Sequence, residues 1–131
     1  MIYKNKAFTR FARQQRISDL ALCEAVERAE RGLVDADLGG GVIKQRIARP
    51  GAGRSGGFRS IVLFRTADRA FFVYGFAKNE RENIRDDELT AFRLLASELL
   101  AYTREQLQTA QEAGILIEVA CPPSAEVENL A

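Results

Sequence analysis

Apolar residues recur along this chain in two rhythms. In the first third the rhythm is helical. Phe8 and Phe11 fall on one side of a short helix predicted over Asn5 to Gln15. Ser18 is a suitable N-cap for a second helix running to about Arg31. In it Leu22, Val26, Ala29 and Leu33 share one face, while Asp19, Glu24, Glu27, Arg28 and Glu30 face out, and Gly32 is a natural stop. The rhythm then changes. Val42–Arg49, Phe58–Thr66 and Ala70–Ala77 are short runs rich in Val, Ile, Phe and Tyr. Turn-prone residues separate them, including Gly39-Gly40-Gly41, Pro50-Gly51, Gly56-Gly57 and Ala67-Asp68. This predicts a three-stranded antiparallel meander. Its last strand, FFVYGF, is apolar on both sides and belongs in the middle of the sheet.

The helical rhythm returns after Asp86, which is expected to cap a third helix from Asp87 to about Ala101 with Leu89, Phe92, Leu95, Ala96 and Leu99 inward. Thr103 with Gln106 matches a capping box, so a fourth helix follows to about Ala113 and stops at Gly114. Ile115–Val119 reads as a short final strand. The sum is an α+β domain over residues 1–120. Its twisted, mainly antiparallel sheet is expected to carry helices on one face and a basic cluster on the opposite face or an edge. Residues 121–131, with Pro-Pro and no pattern, are expected to be a flexible tail.

Composition narrows the chemistry. The chain of 131 residues is 47% hydrophobic and 28% charged, which suits one globular domain. No apolar run reaches the roughly 18–20 residues of a membrane span, and MIYKNKAFTRF lacks the apolar centre of a signal peptide. Cys23 and Cys121 fit no paired framework or metal motif and read as two free thiols in a reducing cytoplasm. There is no histidine, which removes the commonest metal ligand, the commonest general base, and every Ser-His or Cys-His nucleophile. No metal or cofactor is expected.

The net charge of +1 hides an asymmetry. Between Lys44 and Arg85 the cations are Lys44, Arg46, Arg49, Arg54, Arg59, Arg65, Arg69, Lys78, Arg81 and Arg85, against Asp68, Glu80 and Glu82. From Asp86 on, acidic residues dominate. A surface that binds a polyanion is one reading, and scattered solvated charge is the other. The stretch RPGAGRSGGFR holds no nucleotide-binding glycine motif and leads into a strand, so it reads as a hairpin loop. It places Arg49, Arg54 and Arg59 in and beside a turn, where guanidinium and amide groups can grip phosphate. Lys44 and Arg46 share one side of their strand. In-register pairing would bring Arg59 to them, with Lys78 and Arg81 following the neighbouring strand. Cations solvated along a sheet edge remain the alternative.

GRSGGFRSIVLF and FVYGFAKNERENI, in this order of elements, make the chain similar over roughly Tyr3 to Val119 to the RelE/HigB superfamily of toxin–antitoxin toxins, and most similar to its HigB-like branch. The resemblance implies a RelE-like fold and an endoribonuclease that cleaves messenger RNA on the ribosome. It implies a cytoplasmic toxin held silent by a cognate antitoxin, touching operator DNA only through the antitoxin complex, with no membrane role. Position by position, Lys44 and Arg46 stand where RelE-like toxins carry two strand lysines, and Arg59 where they carry a phosphate-binding arginine. Lys78 and Arg81 lie in the family's basic segment. Together these five are the expected catalytic set, with Arg49, Arg54 and Arg85 as RNA contacts. Arg85 stands where the family has a catalytic tyrosine, and Asn79 where it has an arginine. The acid and base roles therefore stay open, with Arg81 or Arg85 to compensate. A lysine among other cations can act as general base; Lys44 is the first candidate and Lys78 the second. Phe58 and Tyr74 are expected in the core rather than stacked on bases. Two competitors share the fold: a ParE-like toxin that binds a topoisomerase, and a non-catalytic RNA-binding or interaction domain.

Overall fold

In the computed structural model, residues 1–48, 57–78, 80, 81 and 83–122 are described. The elements run β1 (Ile2–Asn5), α1 (Lys6–Gln15), α2 (Asp19–Glu30), β2 (Ala36–Gly39), β3 (Val42–Ile47), β4 (Phe58–Arg65), β5 (Arg69–Ala77), α3 (Asp86–Leu99), α4 (Arg104–Glu112) and β6 (Leu116–Glu118). The fold is α+β, and the six strands form one sheet in the order β2-β3-β4-β5-β1-β6. All neighbours are antiparallel except β1 and β5, which run parallel. The expected meander is β3-β4-β5, and β5 lies inside the sheet as its two apolar faces require. β1 and β2 have no counterpart in the sequence reading. Each is only four residues long; β2 is alternately part-buried and exposed, and β1 buries only Tyr3 fully, so pairing with a neighbour, not an apolar pattern, makes each a strand.

Helices cover both faces, not one. On one face α1 and α2 pack Phe8, Ala12, Leu22, Ala25, Val26 and Ala29 onto Ile43, Ile47, Phe58, Val62 and Phe72. On the other, α3 and α4 pack Ala96, Leu99, Leu100, Leu107 and Ala110 onto Val42, Ile61, Leu63, Phe71 and Val73. A sheet whose central strand is apolar on both sides can be covered only in this way. Phe71 and Phe72, adjacent on β5 and each 0% exposed, feed one core apiece. Glycine at 75 lets α1 approach, because a Cβ there would sit 2.4 Å from the Phe11 ring.

The helix ends follow the sequence closely. Asn5 and Ser18 cap α1 and α2 with their side-chain oxygens, and Thr103 and Gln106 form the capping box of α4. The cap of α3 is Arg85 and not Asp86, because the Glu88 carboxylate reaches back to the Arg85 backbone N–H at 2.8 Å.

The cysteines are not free thiols. Cys23 on α2 and Cys121, just beyond β6, form a disulfide across 98 positions of sequence. The segment after β6 folds back to α2: Val119 N–H donates to the Ile2 carbonyl, and Ala120 N–H donates to Asp19 at 2.9 Å. Partial burial disfavours ionisation of Asp19, but the Ala120 N–H and the Lys4 ammonium, 3.0 Å away, outweigh it and hold the carboxyl below its ordinary range. Of the tail expected over 121–131, residues 123–131 lie outside the described residues. Among the described residues no helix is long and apolar enough to cross a membrane.

Candidate functional site

Alternation along β3 turns Lys44 and Arg46 to the α3 side of the sheet and Gln45 to the α2 side. Gln45 is 2% exposed, and its amide is fully engaged. Its Nε2 donates to the carbonyls of Ala25 and Leu33 at 2.9 and 3.0 Å, and its Oε1 accepts from the Asp35 N–H. Ser60 Oγ donates to the Gln45 carbonyl, and Arg28 donates to the Arg46 carbonyl. A polar side chain buried with every bond made locks strand and helix together, so Lys44 and Arg46 project from a fixed backbone.

Register brings the next cation in. Arg46 lies directly opposite Arg59, and Arg59 opposite Phe76; one step along, Lys44 lies opposite Ile61, and Ile61 opposite Tyr74. Two adjacent rows therefore cross β3, β4 and β5 on one face, with opposed Cβ atoms about 4.5–5.5 Å apart. Lys44, Arg46 and Arg59 are all part-exposed. Among the described residues Lys44, Arg59 and Lys78 have no carboxylate partner in an ion pair. Cations facing each other across strands are unfavourable, and an anion seated between them reverses the sign. Arg59 is not an edge residue, since β4 lies between β3 and β5.

The remaining expected cations divide. Lys78 is exposed in the turn after β5. Arg81 folds back over the rows: it makes two bonds to Glu88 at 2.6 and 3.2 Å, donates to the Tyr74 hydroxyl at 2.9 Å, and lies over the rings of Tyr74 and Phe76. Arg85 is exposed and paired with Asp87 at 3.0 Å. Arg81 and Arg85 thus carry their own counter-charges, whereas Lys44 and Arg59 have none among the described residues. Arg49, Arg54 and Asn79 lie outside the described residues. Phe58 is in the α1–α2 core, as expected. Tyr74 is part-buried and packs against the α3–α4 core, at the β5 end of the Lys44 row.

Bonds from Arg81, and then from the Arg85 N–H, pull the Glu88 carboxyl from about 4.5 down to about 2. Its folded-state value lies below the unfolded one, so its contribution to stability is present above about pH 4.5 and lost as pH falls toward 2. Glu88→Gln should therefore be less stable than the parent at neutral pH, and the difference should vanish at the acid end. Urea titrations of both proteins across that range check it; a difference independent of pH would contradict it.

Gln45 and Glu88 are not singled out by the sequence as parts of this site. The spacing of Arg85 and Glu88 is that of a capping box, which is the signal that could have found Glu88. A cleft of about 710 Å³ lined by Met1, Tyr3, Arg104, Leu107 and Glu118 lies beside β1, β6 and α4, away from the cationic rows.

No match is found among curated proteins. The family described as "RelE toxin of RelE / RelB toxin-antitoxin system" matches residues 1–119, from β1 through β6 and across every strand that builds the rows. With its model covering the whole described fold, the chain belongs to the RelE toxin family.

Proposed function

We propose that this toxin is an endoribonuclease that cleaves messenger RNA on the ribosome and so stops translation. Family membership supplies the toxin and implies an antitoxin partner. The observation that carries the nuclease reading is the in-register row joining Arg46 to Arg59, with Lys44 beside it and no carboxylate paired to Lys44 or Arg59 among the described residues. A topoisomerase-binding toxin has no need of such a row. A messenger phosphate fits it, because guanidinium forks bind phosphate oxygens two at a time.

RNA carries its own nucleophile. The 2′-OH attacks the adjacent phosphorus, Lys44 takes the hydroxyl proton, and Arg46 and Arg59 bind the phosphate oxygens as negative charge grows on them. Lys78 and Arg85, with Arg49 and Arg54, hold the flanking strand. A cluster of cations repels a metal ion, so the charge is neutralised by the protein itself. Residues 1–120 form the toxin domain in this reading, and the HigB-like branch fits the motifs around Arg59 and Lys78. The cell compartment that suits it is the cytoplasm, where ribosomes are.

The chemistry of the cut ends tests this. Purified toxin with programmed ribosomes should leave a 2′,3′-cyclic phosphate on one fragment and a 5′-hydroxyl on the other. A 5′-phosphate would mean that water, not the 2′-OH, is the nucleophile, and would overturn the mechanism.

A further inference from the structure

The departing 5′-oxygen of such a cleavage needs a proton, and no group has yet been assigned to donate it. We propose that Tyr74 is the general acid: its phenol O–H protonates the 5′-oxygen as the P–O bond breaks. The proposal rests on the ribonuclease reading above and adds the one group that reading lacks.

Three observations carry it. First, position: Tyr74 lies opposite Ile61, which lies opposite Lys44, so base and acid stand at the two ends of one row across three strands. Adjacent strands are about 4.8 Å apart, which puts roughly 10 Å between their backbones; Ile61 between them is fully buried, so a phosphodiester would lie above the row and not against Ile61. Arg59 sits diagonally between them, about 7–8 Å from Tyr74. Second, hydrogen bonding: the bond between Arg81 and the Tyr74 hydroxyl uses an arginine N–H as donor, at 2.9 Å. The phenol oxygen accepts, so its own proton is left to give away. Third, preorganisation: Glu88 holds Arg81 with two bonds, and Phe76 and Phe92 flank the Tyr74 ring at 5.8 and 6.1 Å. The other two tyrosines do not compete. The Tyr3 hydroxyl on β1 donates to the Met1 sulfur, and the Tyr102 hydroxyl donates to Glu98 beside the α3–α4 turn.

The step balances. The P–O5′ bond breaks and its electron pair goes to O5′, which takes the Tyr74 proton. The phenolate left behind faces the Arg81 guanidinium and regains a proton from water. Tyr74 acts on the leaving group; Arg81 and Glu88 are positioning residues for it.

The test compares two messengers on programmed ribosomes. One is ordinary RNA, and the other has sulfur in place of the 5′-oxygen at the linkage the parent toxin cuts. A thiolate departs without a proton. Tyr74→Phe should slow cleavage of ordinary RNA roughly 100-fold or more, yet cut the sulfur-linked messenger at close to the parental rate. That second rate also shows that the variant is folded. Parental speed on ordinary RNA, or equal slowing on both messengers, overturns the proposal and leaves the ribonuclease reading standing. If the parent cuts neither messenger, both fall. A fluorinated, more acidic tyrosine at position 74 keeps the ring and its bond to Arg81, and should move the alkaline limb of the rate profile to lower pH. An unmoved limb counts against the proposal.

Discussion

Arg59→Ala is expected to slow messenger cleavage about 100- to 1000-fold, the usual effect of removing one charge contact from a transition state, or roughly 3–4 kcal/mol. The fold should survive. Arg59 is part-exposed, and its neighbour across β3 is Arg46, so removing one of two opposed cations relieves repulsion. Arg59→Lys should restore part of the rate, because a point charge lacks the planar fork. Single-turnover cleavage rates, with melting curves for each variant, check this. A normally folded Arg59→Ala that cuts at the parental rate would move the site to the Lys78 end. The control must be chosen with care. Arg69, the first residue of β5, looks interchangeable with other surface arginines in the sequence. In the structure its side chain is 10% exposed, pairs with Asp68 and donates to the Tyr102 carbonyl at 2.7 Å at the end of α3, so Arg69→Ala would disturb folding. Arg65, 52% exposed at the end of β4, is the neutral control, and Arg65→Ala should cut at the parental rate.

Breaking the Cys23–Cys121 disulfide is expected to lower stability by about 2–4 kcal/mol. The bond closes a loop of 98 positions, and a closed loop that long removes much of the freedom of the unfolded chain. It also holds the segment just after β6 beside α2, where Ala120 meets Asp19. Cys121→Ser should unfold at lower urea than the oxidised parent. A dithiol reductant should bring the parent down to the variant's level and leave the variant unchanged. If reductant has no effect on the parent, or lowers both proteins equally, the bond does not contribute in this way.

Much of this architecture is written in local patterns. α2 and α4 announce themselves by cap residues and a 3.6-residue period, and β3 to β5 by alternation between glycine-rich turns. The cationic row was legible for the same reason, since a period of two puts Lys44 and Arg46 on one face, and antiparallel pairing delivers Arg59. What escaped depends on contacts between distant segments. IYKN and ADLG become strands only because β5, β6 and β3 offer partners. Cys23 and Cys121 meet only once β6 has docked beside β1. The two apolar faces of FFVYGF imply a covering on each side as well as a central position, and α1–α2 and α3–α4 supply it. Gln45 looks like a polar mid-strand residue until α2 is packed against it. The pairing of Arg81 with Glu88 is set by how α3 starts, a detail that no count of basic residues contains.

In this reading the toxin acts by cutting messenger RNA. Mapping of messenger 5′ ends in cells, after inducing the chain with and without the neighbouring gene, tests it most directly. The expected result is a burst of new ends inside reading frames, absent when Arg59→Ala is induced and suppressed when the antitoxin is co-expressed. Arrested growth with intact messengers would contradict it.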